Sequence, residues 1–420
     1  MVVVTVILAV LLFCCVASAI VPIRRDPLTG IAFMTGWLTG ELAGQLIVVV
    51  IAVTALLASL GGFSSSLGAL AVGLLAASLL GLLVLLVVGR RSRHVVHRAL
   101  SATPGFVIPM PADEMAARWG VWWRMAIAVP LPGPSIQVIK NLSYATDTER
   151  VHQLDIIRPV EPTHAAPVMI YVHGGAWTLG DKREQGKPMM YELAARGWVC
   201  ATINYSLSPK ATWPEHIIDV LRAIAWVKEH IAEFGGDPGF VAISGGSAGG
   251  HLAALAALAG DDPAFKPGFE GADCSLDACV PLYGVLDMTA NPKTSARFGP
   301  GLRILLERRV IKERISEAPE LFEAASPIHR VRSDAPAFFV LQGRNDTLVP
   351  VDVARAFVAA LRAVSARPVA YAEMPLAQHA FDVLASPRSS ATTAGIVAFL
   401  DAVRAMQAAP AAERDSSARG

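Results

Sequence analysis

Three stretches of the chain are nearly continuous in apolar residues. Val2 to Val21 carries no charge, Leu42 to Leu60 is interrupted only by Gln45, Thr54 and Ser59, and Leu67 to Val88 only by Ser78. Each approximates the roughly 20 residues that cross about 30 Å of hydrocarbon as a helix, so the pattern predicts three membrane spans within residues 1–88. In the third, Ala69, Gly73, Ala77 and Gly81 recur every four residues, a small-residue stripe along which another helix can approach closely. Residues 89–133 break the pattern: basic first, then marked by Pro104, Pro109 and Pro111, then rich in tryptophan. They read as a linker with one helix after Asp113, where Met115, Trp119, Trp122 or Trp123 and Ala126 share a face. That face suits either a membrane interface or packing on the domain that follows.

Beyond Pro134 short apolar runs alternate with helical periodicity. "HQLDIIRP", "PVMIYVHGG", "WVCATINYSL", "FVAISGG", "ACVPLYGVLD", "APAFFVLQG" and "PVAYAEMP" read as strands. Between or after them, "HIIDVLRAIAWVKEHIAEFG", a helix from His251, Val353 to Val364 and Ala391 to Met406 read as helices. This alternation predicts an α/β domain over residues 134–406, a mostly parallel sheet with helices on both faces. Ala290 to Ala325 interrupts it as an insertion over the sheet's C-terminal edge, and residues 407–420 read as a disordered tail.

Composition sharpens this division. With 53% hydrophobic and 17% charged residues, the chain is too apolar for one soluble domain. A formal charge of +1 gives no nucleic-acid footprint. Arg24 and Arg25 follow the first span and Arg90, Arg91, Arg93 and Arg98 the third, whereas the loop from Gly61 to Ser66 has no charge. Three spans put all six arginines on the side of the C-terminal domain, which the positive-inside rule assigns to the cytoplasm. The competing reading is a cleaved signal peptide ending near Ala17-Ser18-Ala19, although its start lacks the usual positive charge. Of the five cysteines, only Cys274 and Cys279 invite a disulfide, and only in an exported domain.

The strand, tight turn and helix across "FVAISGGSAGGHLAAL" make Ser247 the candidate nucleophile. This is the setting of a nucleophile elbow, in which Gly245 and Gly249 avoid collision with the neighbouring strand and helix. In such hydrolases the acid and then the histidine follow the serine. Asp346 lies just beyond the strand in "FFVLQGRNDTLVP", and His379 is the one histidine after it. Its imidazole would take the Ser247 proton while Asp346 fixes the tautomer. The N–H groups of Gly174, Gly175 and Ala248 are the candidate oxyanion hole, and His173 braces that loop. H-E-x-x-H, C-x-x-C, Walker A and strand-borne GxGxxG motifs are missing, so no metal or organic cofactor is expected.

These motifs carry a resemblance. "HGGAW" (His173 to Trp177), "GGSAGG" (Gly245 to Gly250), "GRNDTLVP" (Gly343 to Pro350) and "QHAF" (Gln378 to Phe381) resemble α/β-hydrolase carboxylesterases of the hormone-sensitive-lipase-like and feruloyl-esterase-like groups. With its helical anchor the chain is similar to membrane-attached actinobacterial esterases. The resemblance implies the α/β-hydrolase fold, a Ser247–His379–Asp346 triad and a small-molecule or lipid ester as substrate. Two positions depart from the HGGG and GDSAG patterns, Ala176 and Gly246. HGG-x-W is also the pattern of kynurenine formamidases, so an arylformamidase, or an acyltransferase with the same triad, is the second reading. A non-catalytic membrane binding protein is the third.

Overall fold

The computed structural model describes residues 1–24, 28–106, 128–146, 149–161, 163–289, 291 and 300–408. Arg25, most of the tryptophan-rich linker with its expected helix, and the tail after residue 408 lie outside them.

The apolar N-terminal sequence forms helices α1 (Val2–Ile20), α2 (Thr29–Glu41), α3 (Ala43–Ser59) and α4 (Ser66–Ser101). By length and composition α1 and α4 can each cross a membrane, and the α2–α3 pair, bent by 86°, makes a third crossing if counted as one. Two details differ from the sequence reading. α2 lies where a loop was expected, and α4 continues thirteen residues past Val88, so the linker begins as helix rather than as connector. No proline or glycine pair stops α4 before Thr103-Pro104-Gly105. Its Gly89, Ser92, Val96 and Leu100 are buried, and Val96 fills the space beside Gly395.

The small-residue stripe is also only partly a contact. A side chain at Gly81 would strike Val16 of α1, but Ala69, Gly73 and Ala77 are exposed. The buried line is Gly68, Ala71, Leu75, Ser78, Leu82 and Leu85, whose alternating steps of three and four keep one face toward α1 and α3. A strict step of four drifts off that face because a turn holds 3.6 residues.

The remaining strands are β1 (Ile136–Ser143), β2 (Gln153–Pro159), β3 (Ala166–Val172), β4 (Val199–Ile203), β5 (Gly236–Gly246), β6 (Ala278–Leu282), β7 (Ala337–Gly343) and β8 (Val369–Met374). Among the described residues they form one sheet in the order β1-β2-β4-β3-β5-β6-β7-β8. β2 is antiparallel to both neighbours and the pairs from β4 to β8 are parallel. β3, β4, β6 and β7 are buried along their whole length, which is why they read as unbroken apolar runs rather than alternating ones.

The helices of this part are α5 (Lys187–Ala195), α6 (Glu215–His230), α7 (Ala248–Ala259), the short α8 (Pro300–Leu305) and α9 (Pro319–Ala324), α10 (Val351–Val364) and α11 (Pro387–Ala408). α6, α7 and α10 cover one face of the sheet, and α5, α11 and the end of α4 cover the other. Helices therefore lie on both faces, as expected for an α/β-hydrolase fold. The end of α4 belongs to that second layer: Val96 and Leu100 are fully buried there, and Phe106 stacks on Phe399 at 5.4 Å between ring centroids. All five cysteines are free thiols, Cys274 and Cys279 both buried.

Candidate active site

Ser247 stands at the junction of β5 and α7 with φ 56° and ψ −120°, a conformation that L-residues other than glycine rarely adopt. It is held by its N–H on Leu282 O at 2.9 Å and by its carbonyl, which accepts from His251 N at 2.9 Å. The flanking glycines are required by space. A Cβ on Gly245 would stand 2.5 Å from Gly249 carbonyl atoms and 2.6 Å from Val172 O, and one on Gly249 would stand 2.6 Å from His173 O and closer still to Val172 O. Gly246, where the lipase-like pattern carries an acid, faces the Tyr283 hydroxyl, which a Cβ would meet at 2.6 Å.

Asp346 follows β7 and His379 follows β8, and the structure brings them together. His379 Nδ1 lies 2.7 Å from Asp346 Oδ2, with both side chains essentially inaccessible to water. The carboxylate is saturated: Oδ1 accepts from Leu348 N and Val349 N, each at 2.8 Å, and Oδ2 accepts also from Gln342 Nε2 at 3.0 Å. An acid so held is a hydrogen-bond acceptor only, so Nδ1 carries the proton and Nε2 is left as the basic nitrogen. Gln378 splints the two loops, its Oε1 accepting from His379 N at 3.0 Å and Thr347 N at 2.8 Å. Tyr283 links this pair to the serine turn. Its hydroxyl faces Gly246 while its ring centroid is 4.5 Å from that of His379. The same hydroxyl donates to buried Asp382, whose carboxyl burial pushes above the usual range.

The third element is the loop after β3. Gly174 differs from the sequence reading: its N–H donates to Gln185 Oε1 at 2.8 Å and is not free to receive an oxyanion. Its role is spatial, since a Cβ there would stand 2.6 Å from Gly246 O and 3.2 Å from Ser247 Cβ. Gly175 and Ala248 keep N–H groups with no acceptor among the described residues, and so does Ala176. Gly175 has φ 124° and no room for a side chain beside Leu179 O, which makes glycine mandatory there. Ala176 and Trp177 follow at φ 53° and 58°.

Two histidines brace this loop. His173 stacks on Tyr205 at 4.5 Å, holds Gly174 O through Nδ1 at 2.8 Å, and is kept neutral by burial, which lowers its pKa. The fully buried Trp177 donates its indole N–H to His251 Nδ1 at 3.2 Å, and His251 Nε2 lies 2.7 Å from Ala325 O. That pair of partners fixes the Nε2–H tautomer, and burial lowers the pKa of His251 to about 4. Ala325 closes the expected insertion, which is thereby tied to the loop behind the nucleophile.

Gln185, Gln342, Gln378 and Tyr283 were not found from the sequence. Gln185, Gln342 and Tyr283 lie outside the four motifs, Gln378 stands inside QHAF without a role of its own, and a lone glutamine or tyrosine gives no pattern signal. Among the described residues no group of three or more His, Cys, Asp or Glu side chains could hold a metal ion.

Residues 154–361 match the family model described as BD-FAE. The chain is 47% identical over 341 residues to the probable carboxylic ester hydrolase LipM of Mycobacterium tuberculosis, covering 79% of this chain and 77% of LipM. It is 40% identical over 326 residues to esterase LipC of the same organism, covering 76% and 79% respectively. The share matched with LipM exceeds everything from residue 134 onward, so that similarity reaches upstream into the helical region. Among solved structures, esterase B of Lactobacillus rhamnosis aligns with a TM-score of 0.56 at 19% identity, covering 75% of this chain and 97% of that one, a likeness of fold. The chain belongs to the carboxylic ester hydrolases of the α/β-hydrolase fold.

Proposed function

We propose that the chain is a membrane-attached serine carboxylesterase working through an acyl-enzyme on Ser247. His379 Nε2 takes the hydroxyl proton as Ser247 Oγ attacks the ester carbonyl, and the N–H groups of Gly175 and Ala248 receive the oxyanion. The imidazolium returns the proton to the departing alcohol. Water, deprotonated by the same nitrogen, then releases the acid and regenerates the serine. The observation that carries this reading is the buried 2.7 Å pairing of His379 Nδ1 with Asp346, which leaves Nε2 basic on the same sheet whose strand β5 ends in a strained serine.

Ester cleavage is preferred over formamide cleavage or acyl transfer because the named relatives are ester hydrolases. A purely binding role would give no use to an acid, base and serine all in place. The hydrolase part faces the cytoplasm in this account, supported by Arg24, Arg90, Arg91, Arg93 and Arg98 on its side of the apolar helices. Arg24 Nη2 donates to Arg344 O of that part at 3.0 Å. An amphiphilic ester arriving from the lipid surface is the substrate class that such attachment favours. Turnover of p-nitrophenyl esters of graded acyl length by the full chain tests the reading. Ser247→Ala should lower kcat on the order of a thousandfold or more. Near-normal turnover in that variant would end it.

A further inference from the structure

The catalytic loops are held by the helices that the sequence assigns to the membrane. Asn345 Nδ2 donates to Ala19 O and Ile20 O at the end of α1, each at 3.0 Å, and Thr347 Oγ1 donates to Thr29 O at 3.2 Å. α2 lies on the histidine loop: Gly36 packs beside Gln378, and the Phe33 ring meets the His379 imidazole edge-on at 5.9 Å between centroids. Beside Phe33 and stacked with it at 5.7 Å, Trp37 donates its indole N–H to Ala380 O at 2.8 Å.

That last bond falls on a strained peptide. Ala380, immediately after His379, has φ 61°, in the left-handed region that alanine avoids. An unfavoured conformation persists only where surrounding contacts over-determine it. Gln378 fixes the His379 N–H from one side of the residue, and Trp37 fixes the Ala380 carbonyl from the other. The imidazole is thus clamped along its own backbone, in addition to its bond to Asp346.

We infer that Trp37 is a positioning residue for His379, so that the N-terminal helical unit completes the active site as well as attaching it to the membrane. The inference rests on the serine-hydrolase reading above. If Ala380 relaxes toward ordinary φ, the His379 backbone turns and carries the imidazole from its place on Asp346, and the loss falls on the proton-transfer step more than on ester binding.

The test uses the full chain in detergent or nanodiscs with p-nitrophenyl butyrate. Trp37→Phe keeps the ring stacked on Phe33 and removes only the N–H donor. It should lower kcat about tenfold, with KM changed less than twofold and a thermal midpoint close to the parent. Trp37→Ala should lower kcat further. Ser247→Ala is run alongside. If it abolishes turnover while Trp37→Phe keeps the parent kcat, the positioning role is overturned and the esterase reading stands. If Trp37→Phe loses activity only in proportion to lost folded protein, Trp37 is structural and the inference fails. If Ser247→Ala keeps its turnover, the underlying reading fails first.

Discussion

Asp346 uses every acceptor position it has, and this makes its chemistry testable by a single atom change. Leu348 N and Val349 N demand an acceptor at Oδ1. In Asp346→Asn the amide oxygen must therefore stay there, and the NH2 group must face His379 Nδ1 and Gln342 Nε2. One of its N–H groups would then oppose the Nδ1–H, so the imidazole would shift its proton to Nε2 and lose its basic nitrogen. The expected outcome is a fall in kcat of roughly 10³–10⁴ with the fold intact, read by ester turnover beside a circular dichroism spectrum. A loss below tenfold would mean that Asp346 does not set the tautomer. At this scale the strand-end places of Ser247, Asp346 and His379 and the pairing of the last two were legible, because the strands read as apolar runs and the chain order of acid and histidine leaves one choice. Gly174 was misread because its partner, Gln185, lies eleven residues on in a loop that no periodicity marks. Trp37 and Tyr283 were invisible as site residues, since contacts to residues distant in the chain leave no local trace.

The strands and the helices that cover them were readable wherever burial was two-sided or the helical stripe was clean. β1 was missed because it alternates weakly around Lys140 and Asn141, with an irregular register between Ile139 and Leu142 and Asn141 at φ 60°. α2 was missed because Gly30, Gly36, Gly40 and Glu41 break the apolar run. In the structure all of those breaks but Gly30 are contacts. Glu41 Oε1 pairs with Arg388 Nη1 at 3.0 Å, Glu41 Oε2 accepts from Ser386 Oγ at 2.6 Å, and Gly40 O accepts from Arg388 Nη1 at 3.1 Å. The pair is about 1% exposed on each side, joining α2 to the start of α11. Removing one partner strands the other charge away from water, which costs about 3–5 kcal/mol, whereas replacing both with apolar residues of similar size costs far less. Arg388→Met should therefore lower the thermal midpoint of the detergent-solubilised chain strongly, and Glu41→Leu with Arg388→Met should recover much of it. Equal midpoints for the single variant and the parent would show that α2 and α11 are not coupled through this pair.

For the whole molecule, hydropathy separated the apolar helices from the α/β part but drew the line too sharply. α4 crosses that line as one helix, first among its apolar neighbours and then packed by Val96 and Leu100 on the sheet's outer layer. α1 ends on the acid loop, and α2 lies along the histidine loop. The account that results is of one active site assembled from both parts, with Ser247 as its nucleophile. The most direct test is intact and peptide mass measurement of the full-length chain after incubation with a p-nitrophenyl alkylphosphonate, an analogue of the tetrahedral intermediate. The account predicts one phosphonyl adduct per chain, on Ser247, appearing in step with loss of esterase turnover. An adduct elsewhere, or full turnover with Ser247 modified, would contradict it.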